Sequence, residues 1–235
     1  MNNEIKIKEL ENKIEELEFT ISNSTKHLKK LKEHLRKLKP LKYPKTFKSG
    51  YELEMWLYEN KIVFKSYFIF KNGDWKYTDE QGFCHLYRNG VELTKGVKAK
   101  YAWSYNNSDW VYEDTQGFEH LIRNGVELTK GVKATYVWSY DNGDWRYTDK
   151  QGFDHLYRNG VELTKGLKAK YVYSFDNGDC YYKDLQGFDH LYRDGVELTK
   201  DIKTKDVWSY GNGDWYYRDE NGDLHKFDKN NNRIY

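Results

Sequence analysis

Apolar positions follow two regimes along the chain, and the change comes at its only two prolines, Pro40 and Pro44. Before them the spacing is heptad. Ile7, Ile14, Ile21, Leu28 and Leu35 share one position, and Leu10, Leu17, Leu31 and Leu38 lie three residues on, with Ser24 the one interruption. That seam predicts an α-helical coiled coil over residues 1–40, and isoleucine followed by leucine favours a parallel homodimer. Lys6 and Lys13 would meet Glu11 and Glu18 of a parallel partner, whereas His27, Lys32, His34 and Lys39 would repel. An antiparallel pair sets the acidic first half against the basic second half. A helical hairpin turning at Ser22–Thr25 is the intramolecular alternative. The seam keeps its phase across those four residues, which favours the oligomer. Residues 41–50 read as a linker.

After the prolines the pattern becomes short alternating runs between turn signals, and it repeats. Asn-Gly-Asp-Trp at 72–75 returns with a 35-residue step as Asn-Ser-Asp-Trp at 107–110, Asn-Gly-Asp-Trp at 142–145, Asn-Gly-Asp-Cys at 177–180 and Asn-Gly-Asp-Trp at 212–215. Gly-Phe followed by a His-Leu-x-Arg-x-Gly-Val-Glu-Leu-Thr-Lys run recurs from 82, 117, 152 and 187. Each unit reads as four strands, placed in one copy at 153–158, 161–164, 167–175 and 180–184. Asn159-Gly160 is a type I′ hairpin signal, because both positions need positive φ. Asn142-Gly143 is read as another two-residue loop, which puts Tyr140 opposite Trp145 and Trp138 opposite Tyr147. His155 and Tyr157 then share that aromatic face, while Val137, Ser139, Leu156, Val161 and Leu163 take the other. Asp184-Leu185-Gln186-Gly187 suits a type I turn and is taken as the link between units.

The expected fold is therefore mostly β: tandem 35-residue four-stranded β-meander repeats over residues 51–235, five units with degenerate end copies, behind an N-terminal coiled coil. Residues 57–70 look like a shortened first copy and the C-terminal residues like a decayed half copy. An open curved or superhelical stack and a five-bladed β-propeller both cover the faces of such units. The lean unit and degenerate ends favour the stack.

Composition sharpens this. Phe, Trp and Tyr make 17% of the chain, so the core is expected to be aromatic. The run Asp-Trp-Arg-Tyr-Thr-Asp-Lys-Gln-Gly from Asp144, followed by Glu-Leu-Thr-Lys-Gly-Leu-Lys-Ala-Lys-Tyr-Val from Glu162, resembles the WG (KWG)-type β-repeats of bacteria and viruses. It departs from them in having Lys76, Val111, Arg146 or Tyr216, never glycine, after the tryptophan. The resemblance spans roughly residues 65–228 and implies a structural or interaction role.

Charge is uneven: residues 1–45 carry a net +5 and the remainder −3. A body of that sign argues against nucleic acid as its partner, and the basic half of the helix is read first as a solvated face, with attachment to nucleic acid or an anionic membrane through it as the weaker alternative. Cys84 and Cys180 occupy different repeat positions and form no disulfide or zinc pattern. No signal peptide or membrane-spanning run is read, so a cytoplasmic setting, or assembly from the cytoplasm, is expected. The Asp-Asn-Gly-Asp turns supply too few alternating carboxylates for a calcium loop. The file of His85, His120, His155, His190 and His225 offers one imidazole per unit and is read as structural. No catalytic residue, metal site or cofactor is expected. What remains is a non-enzymatic structural or interaction repeat protein, with itself and an unidentified protein or glycan as partners. If exposed, Trp103, Trp110, Trp138, Trp145, Trp208 and Trp215 would be the ligand-stacking residues of a lectin-like alternative.

Overall fold

The computed structural model describes residues 13–30 and 42–234, in a chain that divides into two compact units, Met1–Tyr43 and Pro44–Tyr235. In the first, residues 13–30 form one helix, α1. It runs unbroken through Ser22–Thr25, where Thr20 and Thr25 hydroxyls donate back to the Glu16 and Ile21 carbonyls, so those four residues are not a hairpin turn. Ile14, Leu17, Ile21 and Leu28 are all exposed. The other seam residues, Ile7, Leu10, Leu31, Leu35 and Leu38, lie outside the described residues.

The second unit opens with helix α2 (Gly50–Glu59). This corrects the expected shortened β copy, because a helical period wins over residues 50–59. Ser49 caps the helix by accepting from the Glu52 N–H, and the Glu52 carboxylate accepts from the Lys48 N–H. Leu53 and Leu57, one turn apart, are fully buried. Nor is the segment before it a free linker: Phe47 is buried and meets Trp75 edge-on at 5.1 Å.

Five antiparallel sheets follow, each a meander in chain order. Sheet 1 holds β1 (Phe64–Ile69), β2 (Trp75–Asp79), β3 (Cys84–Arg88) and β4 (Val91–Glu92). Sheet 2 holds β5 (Tyr101–Ser104), β6 (Trp110–Glu113), β7 (Glu119–Arg123) and β8 (Val126–Glu127). Sheet 3 holds β9 (Thr135–Ser139), β10 (Trp145–Thr148), β11 (Asp154–Arg158) and β12 (Val161–Glu162). Sheet 4 holds β13 (Tyr171–Ser174), β14 (Cys180–Lys183), β15 (Asp189–Arg193) and β16 (Val196–Glu197). Sheet 5 keeps three strands, β17 (Thr204–Ser209), β18 (Trp215–Asp219) and β19 (Leu224–Phe227), and a lone bridge from Phe227 to Arg233 stands in for the fourth.

The repeat is thus four-stranded with a decayed end, but its phase differs from expectation. The Asp184–Gly187 turn lies inside sheet 4, joining β14 to β15. The passage between sheets is the Leu-Thr-Lys-Gly stretch, where Leu167 N–H donates to the Thr164 carbonyl. That turn also explains why β13 begins at Tyr171 rather than 167.

A second correction concerns register. Tyr140 N–H donates to the Asp144 carbonyl and Gly143 N–H to the Tyr140 carbonyl, with Gly143 at φ +89°. The loop therefore has three residues and a glycine bulge, not two. One residue of slip exchanges faces: Trp145 pairs with Ser139, and Trp138 with Arg146. Trp145, Tyr147, His155 and Tyr157 do share a face, but Val137 and Ser139 join them, while Trp138 and Tyr140 move to the side of Leu156. Asn159-Gly160 is the expected two-residue turn, with φ of +49° and +79° between the paired Arg158 and Val161.

The core lies between consecutive sheets. Leu121 of sheet 2 packs with Val137, Trp145 and Tyr147 of sheet 3, and Leu191 of sheet 4 with Val207, Trp215 and Tyr217 of sheet 5. On the outer side of sheet 1, Trp75 meets Phe47 and Trp56 instead of a preceding sheet.

Candidate functional site

Much of the polar repeat is used to rivet one sheet to the next. At the junction of sheets 3 and 4 the Arg158 guanidinium donates to both Asp144 oxygens at 2.7–3.2 Å. The Ser174 hydroxyl, from the next sheet, donates to Asp144 Oδ2 at 2.5 Å, and Asn142 Nδ2 donates to Ser174 Oγ and the Phe175 carbonyl at 2.8 and 3.0 Å. The same four residue types recur as Asn72/Asp74/Arg88/Ser104, Asn107/Asp109/Arg123/Ser139 and Asn177/Asp179/Arg193/Ser209. The Asn-x-Asp turns are therefore structural, as expected, but the Arg and Ser partners were not foreseen. Their signal lay in the sequence: each returns at the 35-residue step. The chemistry suits a rivet, since a buried carboxylate needs both a counter-ion and hydrogen bonds.

The histidines are also built in. His85 Nδ1 lies 2.7 Å from Glu92, its Nε2 3.3 Å from Asp79, and its ring stacks on Tyr77 at 4.7 Å. The hydrogen bond that His85 donates to the Glu92 carboxylate raises its pKa above the usual 6.5. His120, His155 and His190 repeat the contacts, while His225 meets Asp219 and Arg233. Among the described residues no group of three His, Cys, Asp or Glu is placed to hold a metal ion.

The six candidate tryptophans divide in two. Trp145 and Trp215 are 5% and 3% exposed and belong to the core, and half-buried Trp110 packs against the core between sheets 1 and 2. Trp138 and Trp208, at 50% and 43%, project to solvent, and Trp103, on the same face of its own sheet, is half-buried and packs against two core clusters. The bulged turn decides this, because it places these three on the face opposite Trp145. The same repeat position carries Phe68 in sheet 1 and Tyr173 in sheet 4, which the search for tryptophans alone passes over. Phe68 stacks near Trp103 at 5.6 Å and Tyr173 near Trp208 at 6.2 Å. Each ring also meets edge-on a buried ring two residues away or in the preceding sheet, such as Tyr105 against Trp138 at 5.6 Å.

The result is a shallow groove of about 430 Å³ crossing four sheets, floored by Phe68, Trp103, Trp138 and Tyr173 and edged by Asn106 and Asp141. Cations sit behind the rings. Lys76 Nζ lies 4.6 Å from the Tyr101 ring and donates to the Ala102 carbonyl at 2.7 Å, and burial lowers its pKa. Arg146 lies 5.0 Å from the Tyr171 ring and pairs with Asp154. The exposed edges of the first strands are blocked as well. Glu119 accepts from the Val137 N–H at 2.5 Å, the Tyr105 hydroxyl donates to the Val137 carbonyl at 3.0 Å, and Asp154 accepts from the Val172 N–H. Burial raises the Glu119 pKa. Strand addition is thus disfavoured, leaving the rings as the accessible chemistry.

No family model matches the chain, and neither does any curated protein. Similar solved structures include YCF48 bound to D1 peptide (9% identity, TM-score 0.35, covering 69% of this chain and 63% of that one). Others are the WD40 β-propeller domain of Doa1 (14%, 0.30, 67% and 60%) and the C-terminal WD40 domain of Sif2 (10%, 0.33, 69% and 54%). The chain spans less than two thirds of the length of each. At these scores the likenesses decide nothing further. Among the described residues no helix is long and apolar enough to cross a membrane.

Proposed function

We propose that this is a non-enzymatic interaction protein whose binding face is the aromatic groove, carried in several copies by a coiled coil through α1. One observation supports the reading above others: a single repeat position is aromatic in every sheet, with Phe68, Trp138 and Trp208 exposed and Trp103 and Tyr173 half-buried between them in the file. Core packing does not need Trp138 and Trp208 half-exposed, and a file of rings at one step per sheet suits an extended ligand. The arrangement we favour for the sheets is the open stack. Each sheet packs on its sequence neighbour, and Phe47 with Trp56 covers Trp75 on the face of sheet 1 where the other sheets meet a preceding one. A closed ring would have no use for that cap. The likeness to WG-type repeats is part of the same proposal.

A polypeptide partner is the first reading, and a glycan the second, favoured by flat rings with Asn106 and Asp141 beside them. Tryptophan emission separates the two. Saturable quenching by neutral oligosaccharides, lost in Trp138→Ala with unchanged melting, assigns the groove to sugars. No quenching by any sugar, together with selected peptides that bind wild type and release tenfold or more in Trp138→Ala, assigns it to polypeptide. Ligands of either kind that bind Trp138→Ala as well as wild type would remove the groove from the proposal.

A further inference from the structure

The fourth Asn-x-Asp turn is followed by Cys180, where the other four copies place Trp75, Trp110, Trp145 and Trp215. Those indoles fill the wedge between sheets. Trp145 packs with Leu121 and Leu128 and stacks on Tyr157 at 4.4 Å. Trp215 packs with Leu191, Leu198 and Ile202 and stacks on Phe227, also at 4.4 Å.

At the junction of sheets 3 and 4 every counterpart except the indole is present. Leu156, Leu163 and Leu167 supply the aliphatic wall, and Tyr182 and Tyr192 supply the rings. A thiol is far smaller than an indole, and the neighbours do not close over the difference. A cavity of about 120 Å³ lies among these five residues and Cys180. An apolar cavity of ~150 Å³ in a protein core stays dry and takes up benzene, so this space is of the size that a small aromatic molecule occupies. Gly178, Asp194 and Gly195 also line it, and the two glycines add no bulky side chain. Its ring wall is fixed, because the Tyr192 hydroxyl donates to Glu197 at 3.0 Å. Burial pushes the Cys180 thiol up to about 11, so it is neutral and a weak nucleophile, and the lining is mainly apolar, with Arg158 and Asp194 its charged members.

We propose that this cavity binds a planar aromatic molecule of indole size, seated against Tyr192 as the Trp145 indole is seated against Tyr157. Only this junction lacks the internal indole, so one site per chain is expected, separate from the groove.

Titration of the full chain with indole, followed by calorimetry and by melting temperature, tests this. Wild type should show one saturable site and a melting temperature that rises with indole concentration. Cys180→Trp should lose that site and melt higher than wild type without indole, because its own side chain takes the seat. Failure of wild type to saturate up to the solubility limit of indole would overturn the proposal, as would undiminished binding by Cys180→Trp. Should that variant misfold, alkylation of wild type by a neutral thiol reagent, assigned by mass spectrometry, gives a second reading. Indole at ten times its dissociation constant should slow modification of Cys180 about elevenfold and leave Cys84 unaffected. An unchanged Cys180 rate would equally sink the idea.

Discussion

Asp144 concentrates the logic of the repeat in one side chain. It is almost wholly buried, and its charge is met by Arg158 from its own sheet and by the Ser174 hydroxyl from the next. Removing one partner of such a pair leaves the other uncompensated, which costs about 3–5 kcal/mol when both are buried. Because Arg158 is partly exposed, the lower end applies. Asp144→Ala should destabilise the protein by about 3 kcal/mol in urea titration. Asp214 provides the contrast, since position 228 is Asp rather than Arg and sheet 5 is the last among the described residues. It accepts only from Asn212 and the Lys229 N–H, so Asp214→Ala should cost about 1 kcal/mol. His85 gives a second test, in pH. Glu92 and Asp79 raise its folded pKa above the unfolded 6.5, so its stabilisation is full below 6.5 and fades as pH rises through the folded value. Wild type should therefore melt higher than His85→Gln at pH 6, with the gap narrowing toward pH 8.

At the scale of elements, the period of the repeat and its four strands could be read from the chain, because Asn-Gly turns and alternation are local signals. Two features could not. One was the extra residue in the Asp141-Asn142-Gly143 loop. Two- and three-residue loops share the same Asn-Gly letters, and only the Tyr140–Asp144 hydrogen bond distinguishes them. That single residue moved Trp138 and Tyr140 across the sheet, and with them the candidate groove. The other was α2, hidden because Leu53 and Leu57 sit in a stretch that also alternates. Its role follows from what it covers: among the described residues no sheet precedes sheet 1, and the helix with Phe47 takes that place. Leu57→Ala removes a fully buried side chain there, at a cost of about 2–5 kcal/mol. Since each sheet packs mainly on its neighbours, the loss should be local. Hydrogen exchange should show Tyr67, Tyr77 and Leu86 amides losing protection first, with those of Val207 and Tyr217 nearly unchanged. Equal loss across all five sheets would mean that the body unfolds as one cooperative unit.

For the whole molecule, the open question is how many copies of the groove act together. Ile14, Leu17, Ile21 and Leu28 are exposed on α1 at heptad spacing, a stripe that a lone helix gains nothing by displaying. The β unit has its own core and an N-terminal cap from Phe47 and Trp56, so it should fold without residues 1–43. Light scattering should therefore find the full chain oligomeric, a dimer by the isoleucine and leucine pattern. The truncated chain should be monomeric with an unchanged melting temperature. Leu17→Lys with Ile21→Lys should dissociate the oligomer in the same way, since charges in a seam cannot be desolvated. A monomeric full chain would reduce α1 to a tether. If the prediction holds, two grooves are linked at high local concentration, and affinity for a repetitive ligand should fall by ~10²-fold on truncation while affinity for a short one does not change.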